Sequence, residues 1–270
     1  MGTYKKIFMV EFDFCNEFKG ERDIQVIRGM VRAKNTLDKT KDFYYIDTGY
    51  LGNSGDKLWH RITKNNWQVL NHLNYNQLKE LTDIVILERR FKQILNINYN
   101  NYRPKQKRTG KNILIVPPTN KVFLHWNITV QEWLNNVKKK LSEITDRKII
   151  IREKPKSRTI RRTNNKLIDQ LYKDDIHCVV TFSSIGGFES IIEGVPAVIL
   201  GPSAGNYLAE KSLKNIDKPY YADEEQIRQH VFYLSACQFN RLEMTNGYAY
   251  KLVEELQGEQ KHNEHKILYS

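Results

Sequence analysis

Residues 179–205 read VVTFSSIGGFESIIEGVPAVILGPSAG. An apolar run through Val179 and Val180 breaks at Ser183-Ser184 and Gly186-Gly187. The apolar spacing then turns helical, and a second run, 195–200, ends at Gly201-Pro202-Ser203. Strand, turn, helix, strand is the repeating unit of a parallel sheet. Small residues at a strand's C-terminal end let a ligand approach the backbone, and the following helix offers N–H groups and a partial positive charge to a phosphate. Glu189 falls about one turn into that helix, where a carboxylate can accept hydrogen bonds from ribose hydroxyls. The plain alternative is an ordinary strand–helix turn with nothing bound. The segment is neither a G-x-G-x-x-G fingerprint nor a P-loop, since no GKS or GKT follows, and both absences count against NAD and ATP enzymes.

Working outward, the same alternation covers most of the chain. Toward the N-terminus, residues 6–12 (KIFMVEF), 42–47 (DFYYID) and 83–87 (DIVIL) read as strands, and 22–37 and 76–82 as helices. Residues 96–111 (NINYNNYRPKQKRTGK) show no periodicity and read as a linker. A second cycle follows. Residues 112–116, 148–151, 176–182 and 195–200 read as strands. Residues 130–144, 163–172, 187–193, 223–236 and 246–256 read as helices. The expected fold is α/β, with two Rossmann-like lobes around an interdomain cleft: an acceptor-side lobe over 1–110, a nucleotide-binding lobe over 111–240, and a closing helix and polar tail over 241–270.

Composition narrows the class. The 270 residues carry a net charge of +12, with 40% apolar and 11% aromatic residues, enough to bury a core. No stretch approaches the ~18 apolar residues of a membrane span, and the N-terminus reads as neither a signal peptide nor a myristoylation site. Three widely spaced cysteines (Cys15, Cys178, Cys237) fit a reducing cytoplasm and no zinc site. The charge is uneven. Residues 89–131 hold nine Lys/Arg and no acid, and 147–166 hold nine with only Glu153, which leaves the rest of the chain at −5. Tracts 89–121 and 147–166 are either solvated loops or a surface for a polyanion or a phosphate-bearing ligand.

The quoted segment resembles the donor-binding motif of GT-B glycosyltransferases, especially the capsular-polysaccharide type. The matching positions are Thr181, Ser183-Ser184, Gly186-Gly187, Glu189, Gly194, Pro196 and Gly201, with Ser190 where the family usually has Ala. Arg152-Glu153-Lys154-Pro155 matches the family's basic element after an earlier strand. The resemblance covers about residues 112–205. It implies that Ser183, Ser184, Gly186 and Gly187 hold the donor phosphates, that Glu189 binds the donor ribose, and that Arg152 and Lys154 offset the charge of the leaving nucleoside diphosphate. The co-substrate would be a nucleotide sugar, a UDP-sugar in first place, with no tightly bound cofactor. No DxD pair sits at a strand end, because Asp174-Asp175 reads as a helix stop, so stabilisation without a metal is expected.

A general base must still deprotonate the acceptor hydroxyl. Glu11 and Asp13, at the end of the first strand, rank above Asp47, at the end of the second. Tyr50, Trp59, Arg61 and His125 are further cleft candidates, of which Trp59 and His125 read equally well as ordinary packed residues. For the acceptor, the chain is similar to small phage-encoded enzymes that glycosylate hydroxymethylated pyrimidines in DNA, acting in the host cytoplasm. The basic tracts would then contact phosphates, and the target base would leave the duplex. The alternatives are a surface or capsular polysaccharide acceptor, or a non-catalytic nucleic-acid-binding protein on a degenerate transferase fold.

Overall fold

The structure, a computed structural model, describes residues 25–30, 42–53, 58–125, 128–152 and 166–257, apart from the side chains of 124 and 125. It is a mixed α/β protein that divides into two compact units. One is Met1–Tyr102 with Gln229–Glu264, and the other is Arg103–Arg228 with His265–Ser270. Residues from 241 onward, expected to close the chain separately, thus fall largely in the first unit.

The first unit holds strands β1 (Gln25–Arg28), β2 (Phe43–Thr48), β3 (His60–Lys64) and the two-residue β8 (Gln238–Phe239), in the order β1-β2-β3-β8. Only β1 and β2 run parallel; the other two pairings are antiparallel. Among the described strands this sheet is therefore mixed, where a parallel one was expected. Phe43, Tyr44, Tyr45 and Ile46 are all buried, as an unbroken apolar run requires when both faces of a sheet are covered. Residues 25–28, expected in a helix, form β1; residues 6–12 lie outside the described set.

Residues 83–87 are also corrected, from strand to helix. After α1 (Tyr75–Leu81), Asp83 caps α2 (Ile84–Leu95), its side chain accepting from the N–H of Val85 at 2.9 Å. Leu87, Arg90, Phe91 and Ile94 form its buried stripe, and that i, i+3, i+4, i+7 pattern outweighs the strand preference of Ile84-Val85-Ile86. Arg90 is buried on this stripe. It pairs with Glu243 at 2.6 Å, donates to the carbonyls of Ala236 and Gln238, and lies over the rings of Phe239 and Tyr248.

The second unit follows the expected cycle. Strands β4 (Asn112–Val116), β5 (Ile149–Ile151), β6 (Ile176–Thr181) and β7 (Ala197–Ile199) form one parallel sheet in the order β5-β4-β6-β7. Helix α3 (Val130–Ile144) places Trp133, Val137 and Leu141 on one face of the sheet, against Ile113, Ile115, Cys178 and Val180. Helices α4 (Leu167–Lys173) and α5 (Ile185–Ile192) cover the other face. A Cβ on Gly187 would lie 2.9 Å from the Ile199 side chain and 3.0 Å from that of Thr181, so α5 packs closely on the sheet there. From β4 the chain moves to β5 on one side; from β6 it moves to β7 on the other. The adjacent ends of β4 and β6 are thus the point where the connections part, and ligands of open α/β sheets bind in the crevice formed there.

Residues 103–111 are not a free linker. They run extended along the second unit. The N–H groups of Lys105 and Arg108 donate to the carbonyls of Ile192 and Gly194 at 3.0 and 2.7 Å, and that of Lys111 donates to Asp175 at 2.8 Å. The Arg108 guanidinium lies 3.9 Å from the Tyr172 ring centroid, and Tyr221 donates to the carbonyls of Lys105 and Ile191. Helices α6 (Glu224–Ala236), α7 (Arg241–Thr245) and α8 (Tyr248–Gln257) complete the described chain.

Candidate functional site

The site forms where β4 and β6 end. The Thr181 hydroxyl donates to the carbonyl of Val116 at 2.8 Å, tying the two strand ends together. The same oxygen accepts from the N–H of Ser184 at 3.3 Å and so holds the turn. Ser184 caps α5; its hydroxyl accepts from Gly186 at 3.3 Å and its carbonyl from Gly187 at 3.1 Å. The first of these is long for an N–H···O bond, so an anion would replace a weak interaction there. Ser183 and Ser184 are half-buried, while Gly186 and Gly187 are buried beneath them. Five predicted residues, Ser183, Ser184, Gly186, Gly187 and Glu189, therefore lie on one turn and the helix it starts.

Arg152 immediately follows β5, and its N–H donates to the carbonyl of Ile115 on β4 at 2.9 Å. It and Glu189 belong to one electrostatic neighbourhood. Burial pushes the Glu189 carboxyl up and Arg152 pulls it part of the way back, leaving it above its ordinary value. Burial likewise pushes the Arg152 guanidinium down, opposed by Glu189. Two charges drawn out of water beside a strand-end turn are a feature of binding sites. Lys154 lies outside the described residues.

The other candidates fall in the first unit or outside the described set, apart from His125, which lies in the second unit. Glu11 and Asp13 lie outside it. His125 ends a 3-10 turn over Val122–His125, and its side chain is not described. Asp47 pairs with Arg61 at 3.1 Å. Burial raises the Asp47 carboxyl, but Arg61, the Thr48 N–H and the Tyr45 hydroxyl outweigh it, so its net shift is downward. Arg61 also donates to the Thr48 carbonyl at 2.6 Å and stacks over Tyr50, 5.0 Å from the ring centroid. The Tyr50 hydroxyl donates to Gln68 and accepts from the Val69 N–H. Trp59 is buried.

Two side chains at the candidate site carry bonds that the sequence does not announce. Thr181 was noted only as a motif position, yet it bonds both strand ends. Gln170 was not noted at all, although it receives a hydrogen bond from Arg152 at 2.6 Å. The available signal for Gln170 was its i, i+4 spacing to Asp174 on a helix beside the motif. Among the described residues, no group of three or more His, Cys, Asp or Glu side chains is placed to hold a metal ion, and no helix is long and apolar enough to cross a membrane.

No family model matches the chain, and no curated protein matches it. Among solved structures it is similar to Thermosulfurimonas dismutans KpsC, beta Kdo 2,7 transferase, at 13% identity and a TM-score of 0.49, covering 94% of this chain and 97% of that one. It is also similar to Thermosulfurimonas dismutans KpsC, beta Kdo 2,4 transferase, at 13% identity and a TM-score of 0.40, covering 84% and 86%. Likeness at this level carries no weight for activity, which has to be argued from the site.

Proposed function

We propose that the chain is a glycosyltransferase that moves a sugar from a nucleotide-activated donor to a hydroxyl acceptor. The observation that carries this reading is the convergence of the Ser183–Gly187 turn, Arg152 and Glu189 at the β4–β6 switch point, in the chemistry that a nucleoside diphosphate requires. The diphosphate would sit against the turn and the N-terminus of α5, whose dipole favours anions. Glu189 would accept hydrogen bonds from the ribose hydroxyls. As the glycosidic bond breaks, negative charge grows on the leaving phosphate; Arg152 and the helix terminus are pre-oriented to stabilise it, with Lys154 as a further cation. That arrangement supports chemistry without a metal, and UDP-sugars are the first donors to try. The base that takes the acceptor's proton is assigned to Asp13 or Glu11. Asp47 is a weaker base, because its pairing with Arg61 holds its proton affinity down.

The acceptor fits a saccharide hydroxyl better than a base in DNA. Of the nine cations in residues 89–121, Arg90 is buried against Glu243 and Arg108 lies over the Tyr172 ring, while Arg103 pairs with Glu224 at the surface. Arg147, in the second tract, pairs with Asp217 at 2.8 Å and donates to the carbonyls of Gly110 and Lys111. Fewer charges therefore remain for a phosphate backbone than composition suggested.

The test is release of nucleoside phosphate from a panel of nucleotide sugars, with oligosaccharide and hydroxymethylpyrimidine-DNA acceptors in parallel and products identified by mass spectrometry. Wild type should turn over one donor on a saccharide acceptor, and Glu189→Ala should cut that rate at least about 100-fold while remaining folded. Full activity in Glu189→Ala would remove the donor assignment. Turnover on DNA alone, with affinity falling steeply as salt rises, would replace the saccharide with DNA.

A further inference from the structure

Arg152 is held by a side chain outside the motif. Its Nη1 donates to Oε1 of Gln170 at 2.6 Å, and Nε2 of Gln170 donates to Oδ2 of Asp174 at 3.0 Å. Gln170 and Asp174 stand one helical turn apart on α4. The amide can be oriented only one way. A guanidinium has donors alone and must meet the carbonyl oxygen; a carboxylate has acceptors alone and must meet the NH2. Asp174 is itself fixed, because its N–H bonds the Gln170 carbonyl at 3.0 Å and its carbonyl accepts from Asn112 Nδ2 at 2.7 Å. Asp174 was read from sequence as a helix stop, and it is the C-cap residue of α4; the side-chain bond to Gln170 is a second role. All three side chains are half-buried, where hydrogen bonds meet less competition from water.

We infer that Gln170 and Asp174 are positioning residues, and that the Asp174–Gln170–Arg152 relay sets the guanidinium where the donor's leaving phosphate gains charge. The inference rests on the reading of Arg152 as the cation facing that phosphate. The bond to a Gln170 that is itself anchored by Asp174 restricts a long side chain that would otherwise sample many rotamers, so less ordering remains to be done when the phosphate arrives. Asp174 also leaves a negative charge at the far end of the amide, which polarises it toward the guanidinium.

The experiment uses the donor that wild type turns over, and measures kcat, KM, calorimetric affinity for inorganic pyrophosphate, and the thermal midpoint. Gln170→Ala should lower kcat about 10- to 100-fold and weaken pyrophosphate binding, with the midpoint moved by only a few degrees. Q170E keeps an acceptor for Arg152 but sets two carboxylates face to face, so it should also be impaired. Adding D174N to Q170E supplies an amide donor to the new carboxylate and should restore activity to within about threefold of wild type. A part played only in folding would predict activity that follows the midpoint and no such restoration. Wild-type kcat and pyrophosphate affinity in Gln170→Ala, or a double variant no better than Q170E, overturns the relay. Arg152→Met separates the two levels. If it stays active, the donor reading of Arg152 fails and the relay with it; if it is inactive while Gln170→Ala is not, the relay alone fails.

Discussion

Glu189 serves two opposed demands. Its carboxyl is pushed above its ordinary value by burial, with Arg152 only partly compensating. A carboxyl whose folded value is raised stabilises the fold while protonated, and that contribution is lost as pH rises through the folded value. At neutral pH Glu189 is therefore a net cost to the fold. Glu189→Gln should raise the thermal midpoint at pH 7 by a few °C, shrink that gain as pH is lowered toward ~4, and still abolish donor turnover. A midpoint that falls at pH 7 would mean that the carboxylate is stabilising, against this account. Glu189 stands out in the sequence as a candidate because it follows a Ser-Ser, Gly-Gly turn at fixed spacing. Gln170 was not legible, because an amide on a helix surface has no composition signal; only the folded position of Arg152 gives it meaning.

At the scale of elements, the strap over residues 103–111 ties the basic tract to the C-terminal end of α5, the helix that the Ser183–Gly187 turn starts. Gly194, at the end of α5, has φ +85, and a Cβ there would overlap the carbonyl oxygen of Gln106. The Gly194 carbonyl also accepts from the Arg108 N–H at 2.7 Å. Gly194→Ala is thus penalised by both the left-handed backbone and a backbone clash that no rotamer relieves. It should destabilise the protein by about 2–4 kcal/mol and reduce donor binding as the end of α5 shifts; denaturant unfolding monitored by circular dichroism measures it, and a change below about 0.5 kcal/mol would discount the strap. Read as sequence, 96–111 gave only absent periodicity, since an extended segment fixed by backbone bonds to a distant element leaves no local pattern. The misreading of 83–87 has a different cause. Four consecutive apolar residues are ambiguous alone, and only the twelve-residue window, with Asp83 as cap, reveals the helix.

For the whole molecule, two desolvated imidazoles make stability depend on pH in the acid range. Burial pushes His60 and His72 down to about 4, and Nδ1 of His72 lies 3.0 Å from Nδ1 of His230. Groups that charge more readily unfolded than folded withdraw stability as pH falls from their unfolded value, ~6.5, to the folded one. The thermal midpoint should fall by roughly 10 °C between pH 6.5 and 4.5, and His60→Asn should flatten part of that slope even where it lowers the plateau; a flat midpoint over this range would contradict it. The α/β class and the second unit's strand–helix cycle were legible because parallel strands are short apolar runs punctuated by turn residues. The first unit was less so, since its mixed sheet includes β8, whose two residues carry no pattern. That small strand has a consequence for the order in which the protein is made. Gln238 bonds the N–H groups of Tyr50 and Leu51 and the carbonyl of Leu51, and Phe239 pairs with His60; Arg90 finds Glu243 only later still in the chain. On the ribosome, residues 103–228, all of the second unit but His265–Ser270, emerge while the first unit is still missing its closing strand and its buried arginine's counter-charge. The half of the chain synthesised first is the half that finishes last, and a nascent chain halted after Arg228 would leave the first unit's sheet with an open edge at β3.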